Sequence, residues 1–516
     1  MNMRTIGWPV IFVLSCFLLV EYGCDHAGHD AKSRQEQEGE KLAKLYCSSC
    51  HQYPSPELLT KQIWKSNVLP VMSNFMGLHY KGDSIELLPP AMAASDSATL
   101  PVKVSIPADD FRKIENFYLH RAPDSLPVIN RQEVVSESST LFDVQCPLSA
   151  KGLPFTTSIT IDPAGHRIYQ GDAVGKSVNV YDSKLQAVSS FSLKNIPTAI
   201  SLKGRSIYVT NIGALKPGPG MQSGNLVLLP EEEGGEPKTI LDNLNRSVES
   251  TEVDLDNDGR KDWLVCEFGF LRGSFSWYRN LGNGNYEKKL IKPVPGAIRA
   301  YPEDVNNDGK MDIWVLFGQA KEGISLFVNK GNGSFEEKEI LKFPPVYGSS
   351  YFELTDMNND GKKDIIYTCG DNADYSGILK PYHGIYIFIN EGDFHFKQKY
   401  FFPMNGCYKA MAVDFDKDGD LDLACISYFA DYDHHPGESF IYLENNSRKN
   451  GLSFVPHTID KLPGGRWICM DAKDVDGDGW PDIVLGNMAA PYQNRRDWQA
   501  AWMQAPPFVV LKNKHL

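Results

Sequence analysis

The chain has 516 residues, too many for one ordinary hydrophobic core, so two or more domains are expected. With 42% hydrophobic and 11% aromatic residues the composition is globular, which excludes wholesale disorder. Its 65 acidic against 52 basic residues leave a net charge of −13, which excludes a nucleic-acid partner, whose phosphates need a basic surface, and favours cations.

At the amino end Arg4 precedes an apolar run from Ile6 to Val20, which has the length of a signal-peptide core and is short for a membrane span. Residues 1–24 are therefore read as a signal peptide and the mature protein as exported, to the periplasm or the outer cell envelope. Cys24 follows that core and resembles a bacterial lipoprotein acylation site, with Cys16 as a competing position. Membrane contact is expected only through such a lipid anchor. Residues 25–38 (DHAGHDAKSRQEQE) are polar without an apolar period and read as a tether.

From 39 to 127 the pattern is helical. GEKLAKLY runs into two cysteines, ELLTKQIWKSNVLPVM has apolar residues at helical spacing, and PADDFRKIENFYLHRAP begins with Pro107 and Asp109. ELLPPAMAASDSATLPVKVS, between the last two, reads as loop. Cys47, Cys50 and His51 form C-x-x-C-H, the attachment signature of c-type haem, because one turn must deliver two thioethers and an iron-binding imidazole. A redox C-x-x-C would need a βαβ context, and a zinc site a second ligand pair. The first helix resembles that of small class I cytochromes c, and the last resembles their closing helix, whose aromatic packs on the first. That resemblance implies one covalent haem c in a small all-α domain. Met72 is the expected sixth ligand, with Met76, Met92 and His79 as rivals.

Beyond about 136 the chain turns to short β-rich runs. DLDNDGRKD, DVNNDGKMD, DMNNDGKKD, DFDKDGDLD and DVDGDGWPD begin at Asp254, Asp304, Asp356, Asp414 and Asp474, spaced 50 to 60 residues apart as propeller blades are. Each is followed by an apolar strand. Two further blade-like units lie between 155 and 250 without the aspartates, so seven blades are expected over 138–516. The seventh ends on FVVLKNKHL, its third strand, and STLFDVQC before the first blade reads as the missing outer strand that clasps the ring.

D-x-[DN]-x-D-G-x-x-D sets oxygen donors at alternate positions of a tight turn, with glycine permitting the bend, which is calcium chemistry. The candidate ligands are Asp254, Asp256, Asp258, the Arg260 carbonyl and Asp262; Asp304, Asn306, Asp308, Lys310 and Asp312; Asp356, Asn358, Asp360, Lys362 and Asp364; Asp414, Asp416, Asp418, Asp420 and Asp422; and Asp474, Asp476, Asp478, Trp480 and Asp482. About five Ca2+ ions are expected, one per loop. The alternative is that Asp-Gly merely makes hairpin turns. These loops, with Phe268-Gly269 and Phe317-Gly318 after them, resemble the FG-GAP or VCBS-type repeats of calcium-binding β-propellers, well over 250–516 and weakly over 138–250. The two halves together resemble cytochrome-fused VCBS-repeat lipoproteins.

The connections from second to third strand lengthen in blades five to seven and hold Asp374, Tyr375, His383, Tyr428, Asp431, Asp433, His434, His435, Arg495, Arg496 and Trp498. The innermost strands would line a central funnel with Glu249, Arg299, Lys409 and Asp471, either a site or a solvated channel of mutually paired charges. Cys146, Cys266, Cys369, Cys407, Cys425 and Cys469 read as disulfides or as buried thiols. There is no nucleophile elbow, phosphate loop or paired-carboxylate motif. The function carried forward is electron transfer, with the propeller docking a redox partner on its long-loop face. The alternatives are a periplasmic dehydrogenase, whose small-molecule substrate on that face would reduce the haem, and a carbohydrate-binding or adhesion propeller taking a glycan there.

Overall fold

The computed structural model describes residues 34–82, 84–87, 105–129, 131, 135, 140–147, 153–215, 223–269, 272–373, 377–447, 451–491 and 496–515. The apolar run of the expected signal peptide, Cys16, Cys24, Met92, Asp374, Tyr375 and Arg495 lie outside the described residues. Among the described residues no helix is long and apolar enough to cross a membrane. The chain divides into two compact units, 1–49 with 55–125, and 50–54 with 126–516.

The smaller unit starts on a helix over 34–47. It begins inside the stretch expected to be tether, because Glu38 pairs with Lys113 at 2.8 Å and Glu36 with His120, both on the helix Ala108–Arg121. The two helices cross at Gly39, where a Cβ would lie 2.5 Å from the Lys113 carbonyl oxygen and 2.7 Å from the Phe117 Cβ. Only glycine fits there. Between them, the helix expected over ELLTKQIWKSNVLPVM is broken: a 3-10 turn Pro56–Leu58, then Lys61–Ile63 capped by the Thr60 side chain, a π-helical Trp64–Val68, and Leu69–Phe75. Pro70 explains the π turn. It has no amide and its ring crowds the carbonyl four residues back, so the backbone widens and the Leu69 amide bonds to the Trp64 carbonyl instead. Trp64 is buried against Tyr118, with centroids 4.5 Å apart, and its Nε1 donates to the Pro56 carbonyl at 2.8 Å. A hairpin of Leu78–Lys81 and Ser84–Leu87, which the helical reading did not anticipate, means the unit is not all-α.

The larger unit is a seven-bladed β-propeller. Seven four-stranded antiparallel sheets follow one another, with inner strands Thr156–Asp162, Ile196–Lys203, Ser247–Val253, Ala297–Glu303, Ser349–Thr355, Cys407–Val413 and Trp467–Lys473. The second strands of blades three to seven are buried along their whole length, so they read in sequence as continuous apolar runs. Their side chains pack between blades: Leu264 and Cys266 of the third share a core cluster with Ile313 and Phe317 of the fourth. The ring closes as the sequence predicts. Phe142–Gln145 pairs with Phe508–Asn513 in the register Phe142↔Asn513 and Val144↔Leu511, completing the seventh sheet with the strand that precedes the first.

Candidate functional site

The five aspartate loops join first to second strands and share a hydrogen-bond plan in which the first aspartate accepts the glycine amide at position six, while its second oxygen varies between copies. The loop's first aspartate turns its carboxylate inward: in the second copy Asp304 accepts the amides of Asp308 at 3.1 Å and Gly309 at 2.9 Å. The fifth-position aspartate accepts the amide two residues on, at 2.9 Å for Arg260 and 2.8 Å for Trp480. Position four is left-handed throughout, at Asn257, Asn307, Asn359, Lys417 and Gly477, and position six is always a left-handed glycine.

The ninth position differs. Asp262, Asp312, Asp364, Asp422 and Asp482 are buried. In each, one carboxylate oxygen accepts the amide of the loop's second residue, as Asp312 does from Val305 at 3.2 Å. The other accepts the amide of an asparagine ending the third strand: Asn280, Asn329, Asn390, Asn445 or Asn513, at 2.7 to 2.9 Å. That asparagine's side-chain nitrogen donates back to the carbonyl of the loop's eighth residue. Burial raises all five carboxyls, Asp422 to about 7.

In three copies a carboxylate oxygen from each of positions one, three and nine falls within 4.8 Å of the others: Asp254, Asp256 and Asp262; Asp414, Asp416 and Asp422; Asp474, Asp476 and Asp482. The Asp304 and Asp356 copies carry asparagine at position three. Asp256 Oδ1 and Asp414 Oδ1 are buried without a hydrogen-bond partner. The side chain preceding the third-strand asparagine, which the motif does not contain, sets the local charge. Arg279 Nε lies 2.5 Å from Asp256, Lys512 Nζ 2.6 Å from both Asp476 and Asp478, and Glu444 takes this place beside the Asp414 loop. Arg260, Lys310 and Lys362 also turn their side chains onto Asp258, Asp308 and Asp360.

Cys47 ends the first helix, in the smaller unit, and Cys50 and His51 follow in the turn, within the segment 50–54 that groups with the larger unit. The His51 Nδ1 lies 2.9 Å from the Gln52 carbonyl, so a proton on Nδ1 leaves Nε2 with the lone pair. Met72 sits half-buried in Leu69–Phe75, Met76 caps that helix, and His79 Nδ1 contacts the Leu87 carbonyl at 3.2 Å across the hairpin.

On the long-loop face two candidates prove to be core. His383 is fully buried beside Tyr382. Tyr428 is buried under the Arg466 guanidinium, 3.6 Å from its ring centroid. Asp431 holds His434 Nδ1 at 2.9 Å, Asp433 lies 3.4 Å from Trp498 Nε1, and His434 and His435 are exposed with centroids 6.5 Å apart, too far to act as a pair. Arg496 opens the helix Arg496–Gln504.

The funnel charges are stitches between blades. Glu249 accepts the Ala300 amide at 3.0 Å and Asp471 the Ile161 amide at 2.8 Å, while Lys409 donates to the Met470 carbonyl at 2.6 Å. Arg299 pairs with Glu249 at 3.2 Å and lies over Tyr301 and Tyr351. Arg299 and Glu249 are a mutual pair, whereas Lys409 and Asp471 are met by backbone groups, and each of the four reaches a neighbouring inner strand. Among the described residues Cys146, Cys266, Cys369, Cys407, Cys425 and Cys469 form no disulfide, and four of them, Cys266, Cys369, Cys407 and Cys425, are buried thiols. Glu322 belongs to no motif, yet it is buried and accepts the Ser349 amide at 2.8 Å and hydroxyl at 2.6 Å; burial pushes its carboxyl up to about 7. Only the fold brings Ser349 to it.

The FG-GAP-like repeat model matches residues 254–315 and 304–367, within blades three to five. The chain carries FG-GAP-like repeats. No curated protein matches it. Among solved structures, the N-terminal domain of Nup159 is similar at 12% identity and TM-score 0.40, covering 75% of this chain and 99% of that one. Virginiamycin B lyase from Staphylococcus aureus is similar at 12% identity and TM-score 0.43, covering 72% and 98%. BBS1N in complex with ARL6DN gives 8% identity and TM-score 0.43 over 74% and 97%.

Proposed function

We propose that this protein is an exported c-type cytochrome whose propeller, braced by calcium, docks a redox partner on its long-loop face. The observation that carries the reading is the C-x-x-C-H turn closing the first helix, with His51 Nδ1 engaged by the Gln52 carbonyl and Nε2 available to iron. Cys47 and Cys50 would form the thioethers, with Met72 the first candidate for the sixth ligand ahead of Met76, Met92 and His79. A haem held there would supply one-electron transfer. The donor set fits, and the close helix crossing at Gly39 anchors the segment that delivers it.

For calcium, the support is the clustered carboxylates together with the unpartnered buried oxygens Asp256 Oδ1 and Asp414 Oδ1; the Asp414 carboxylate has no lysine or arginine beside it among the described residues, while the other oxygen of Asp256 is held by Arg279. The ion's part would be structural, cross-bracing strands rather than meeting substrate. Lipid anchoring through Cys24 or Cys16 belongs to the same proposal.

The test is expression alongside c-type maturation machinery, followed by acid-acetone extraction and a reduced-minus-oxidised spectrum. Colour that stays with the polypeptide, and is lost in Cys47→Ser/Cys50→Ser, is the expected result; a protein that bleaches completely overturns the haem reading. Reduction of the haem by a sugar or alcohol without added protein would replace partner docking with an intrinsic dehydrogenase.

A further inference from the structure

A third-strand cation reaches the aspartates in two of the loops, through Arg279 onto Asp256 and Asp258 in the Asp254 copy and through Lys512 in the Asp474 copy, and Lys512 reaches three of them. Lys512, from the third strand of the same blade, places Nζ 2.6 Å from Asp476 Oδ1, 2.6 Å from Asp478 Oδ2 and 3.3 Å from Asp482 Oδ1. An ammonium has three protons and no acceptor, so three carboxylates satisfy it fully. His515, two residues past the strand, sets Nε2 2.6 Å from Asp478 and stacks on Trp480 at 5.4 Å. Burial alone would raise the Asp478 carboxyl, but hydrogen bonds from Lys512, the Trp480 amide and His515 outweigh it and hold it at about 2.

The Asp414 loop is the counterexample. The residue in the register of Lys512 is Glu444, and among the described residues no lysine or arginine pairs with Asp414, Asp416, Asp418 or Asp422. Glu444 adds negative charge where Lys512 removes it, and burial followed by neighbouring aspartates and Glu444 raises Asp416. One further feature separates the two: Asp414 Oδ1 is an unpartnered buried oxygen, whereas no aspartate of the Asp474 loop has one among the described residues.

We infer that Lys512 is the resident cation of the seventh-blade loop, taking the place that a divalent ion takes in the Asp414 loop. The inference rests on the calcium reading above only for the Asp414 loop; the Lys512 contacts stand without it. Ca2+ needs oxygen ligands at about 2.3–2.6 Å on all sides, and an ammonium among the same carboxylates both fills that volume and repels the ion. The arrangement has a structural consequence. Lys512 lies on the strand that pairs with Phe142–Gln145 to close the ring, opposite Asp143 in register, so the closing sheet carries a counter-charge of its own for the loop. Ring closure then does not depend on the calcium supply.

The experiment counts Ca2+ per full-length chain by equilibrium dialysis and elemental analysis after chelator treatment. Asp478→Asn is expected to leave the count unchanged, Asp418→Asn to lower it by one, and Lys512→Met to raise it by one, with a melting temperature lowered in chelator and restored by Ca2+. A count lowered by Asp478→Asn, or not raised by a folded Lys512→Met, overturns the inference. Should Lys512→Met fail to fold, Asp478→Asn decides alone. Wild-type protein that binds no calcium while Lys512→Met binds one would remove the calcium reading of the other loops and leave this one standing; no binding by either removes both.

Discussion

At the residue scale the ninth loop aspartate is the most heavily used side chain in each repeat. It accepts two amides, one from its own loop and one from the third strand, so it works as a buckle whether or not an ion is bound. Deleting it strands both donors, and each stranded buried donor costs ~1–3 kcal/mol. Asp312→Ala is therefore expected to destabilise the propeller by about 2–4 kcal/mol, read as a lower urea midpoint at unchanged slope, and Asp304→Ala by less, because the Asp308 and Gly309 amides it leaves are exposed to water. Glu322 makes a pH prediction away from the loops. Its folded carboxyl, raised by burial to about 7, exceeds the ordinary value of about 4.3, so the folded state holds the proton more tightly. Its contribution is fully present below pH ~4.3 and is lost as pH rises through ~7. Stability should fall across that window, and Glu322→Gln should flatten the fall, as followed by urea midpoints at a series of pH values. The loop aspartates could be recognised from spacing alone; Glu322 could not, since nothing near it in sequence announces the Ser349 amide and hydroxyl that hold it.

At the scale of elements, local pattern and tertiary demand part company in the smaller unit. Apolar spacing called for one continuous helix, and Pro70 converts its middle into a π turn because the missing amide must be compensated by its neighbours. The hairpin Leu78–Lys81 with Ser84–Leu87 carried little periodicity, so it escaped notice until pairing revealed it. Gly39 is the opposite case: an ordinary-looking helical glycine that costs roughly 1 kcal/mol against alanine until the facing backbone shows why it is there. Gly39→Val is expected to push the two helices apart and abolish the protection of the Phe117 amide in hydrogen exchange, while propeller amides stay protected. Were the crossing slack, protection would survive the change. In the propeller, by contrast, element and pattern agree, since the second strand of each aspartate-bearing blade is buried on both faces and reads as an unbroken apolar run.

At the scale of the whole molecule the ring is closed by a strand from before the first blade, so the propeller's ends are tied without a covalent link. Removing residues 140–147 should expose the edge of Phe508–Asn513 and lower the melting temperature by about 3–6 °C, the shift expected when a few kcal/mol are lost from a domain of this length; an unchanged melting temperature would mean the edge is tolerated. Chelation should lower the propeller's melting temperature and leave the spectrum of any bound haem unchanged, as scanning calorimetry beside absorption would report. The amino-acid sequence by itself determined the blade number, the register of the aspartate loops, the clasping strand and the C-x-x-C-H turn, because each is a repeat or spacing within a short window. The tertiary structure alone decided that Lys512 and Arg279 lie on loops some twenty to thirty-six residues earlier in the chain, that the funnel charges stitch neighbouring blades, and that His383 and Tyr428 are interior. Those are distances across the strands of one blade and between neighbouring blades, and only the assembled sheets bring such residues together.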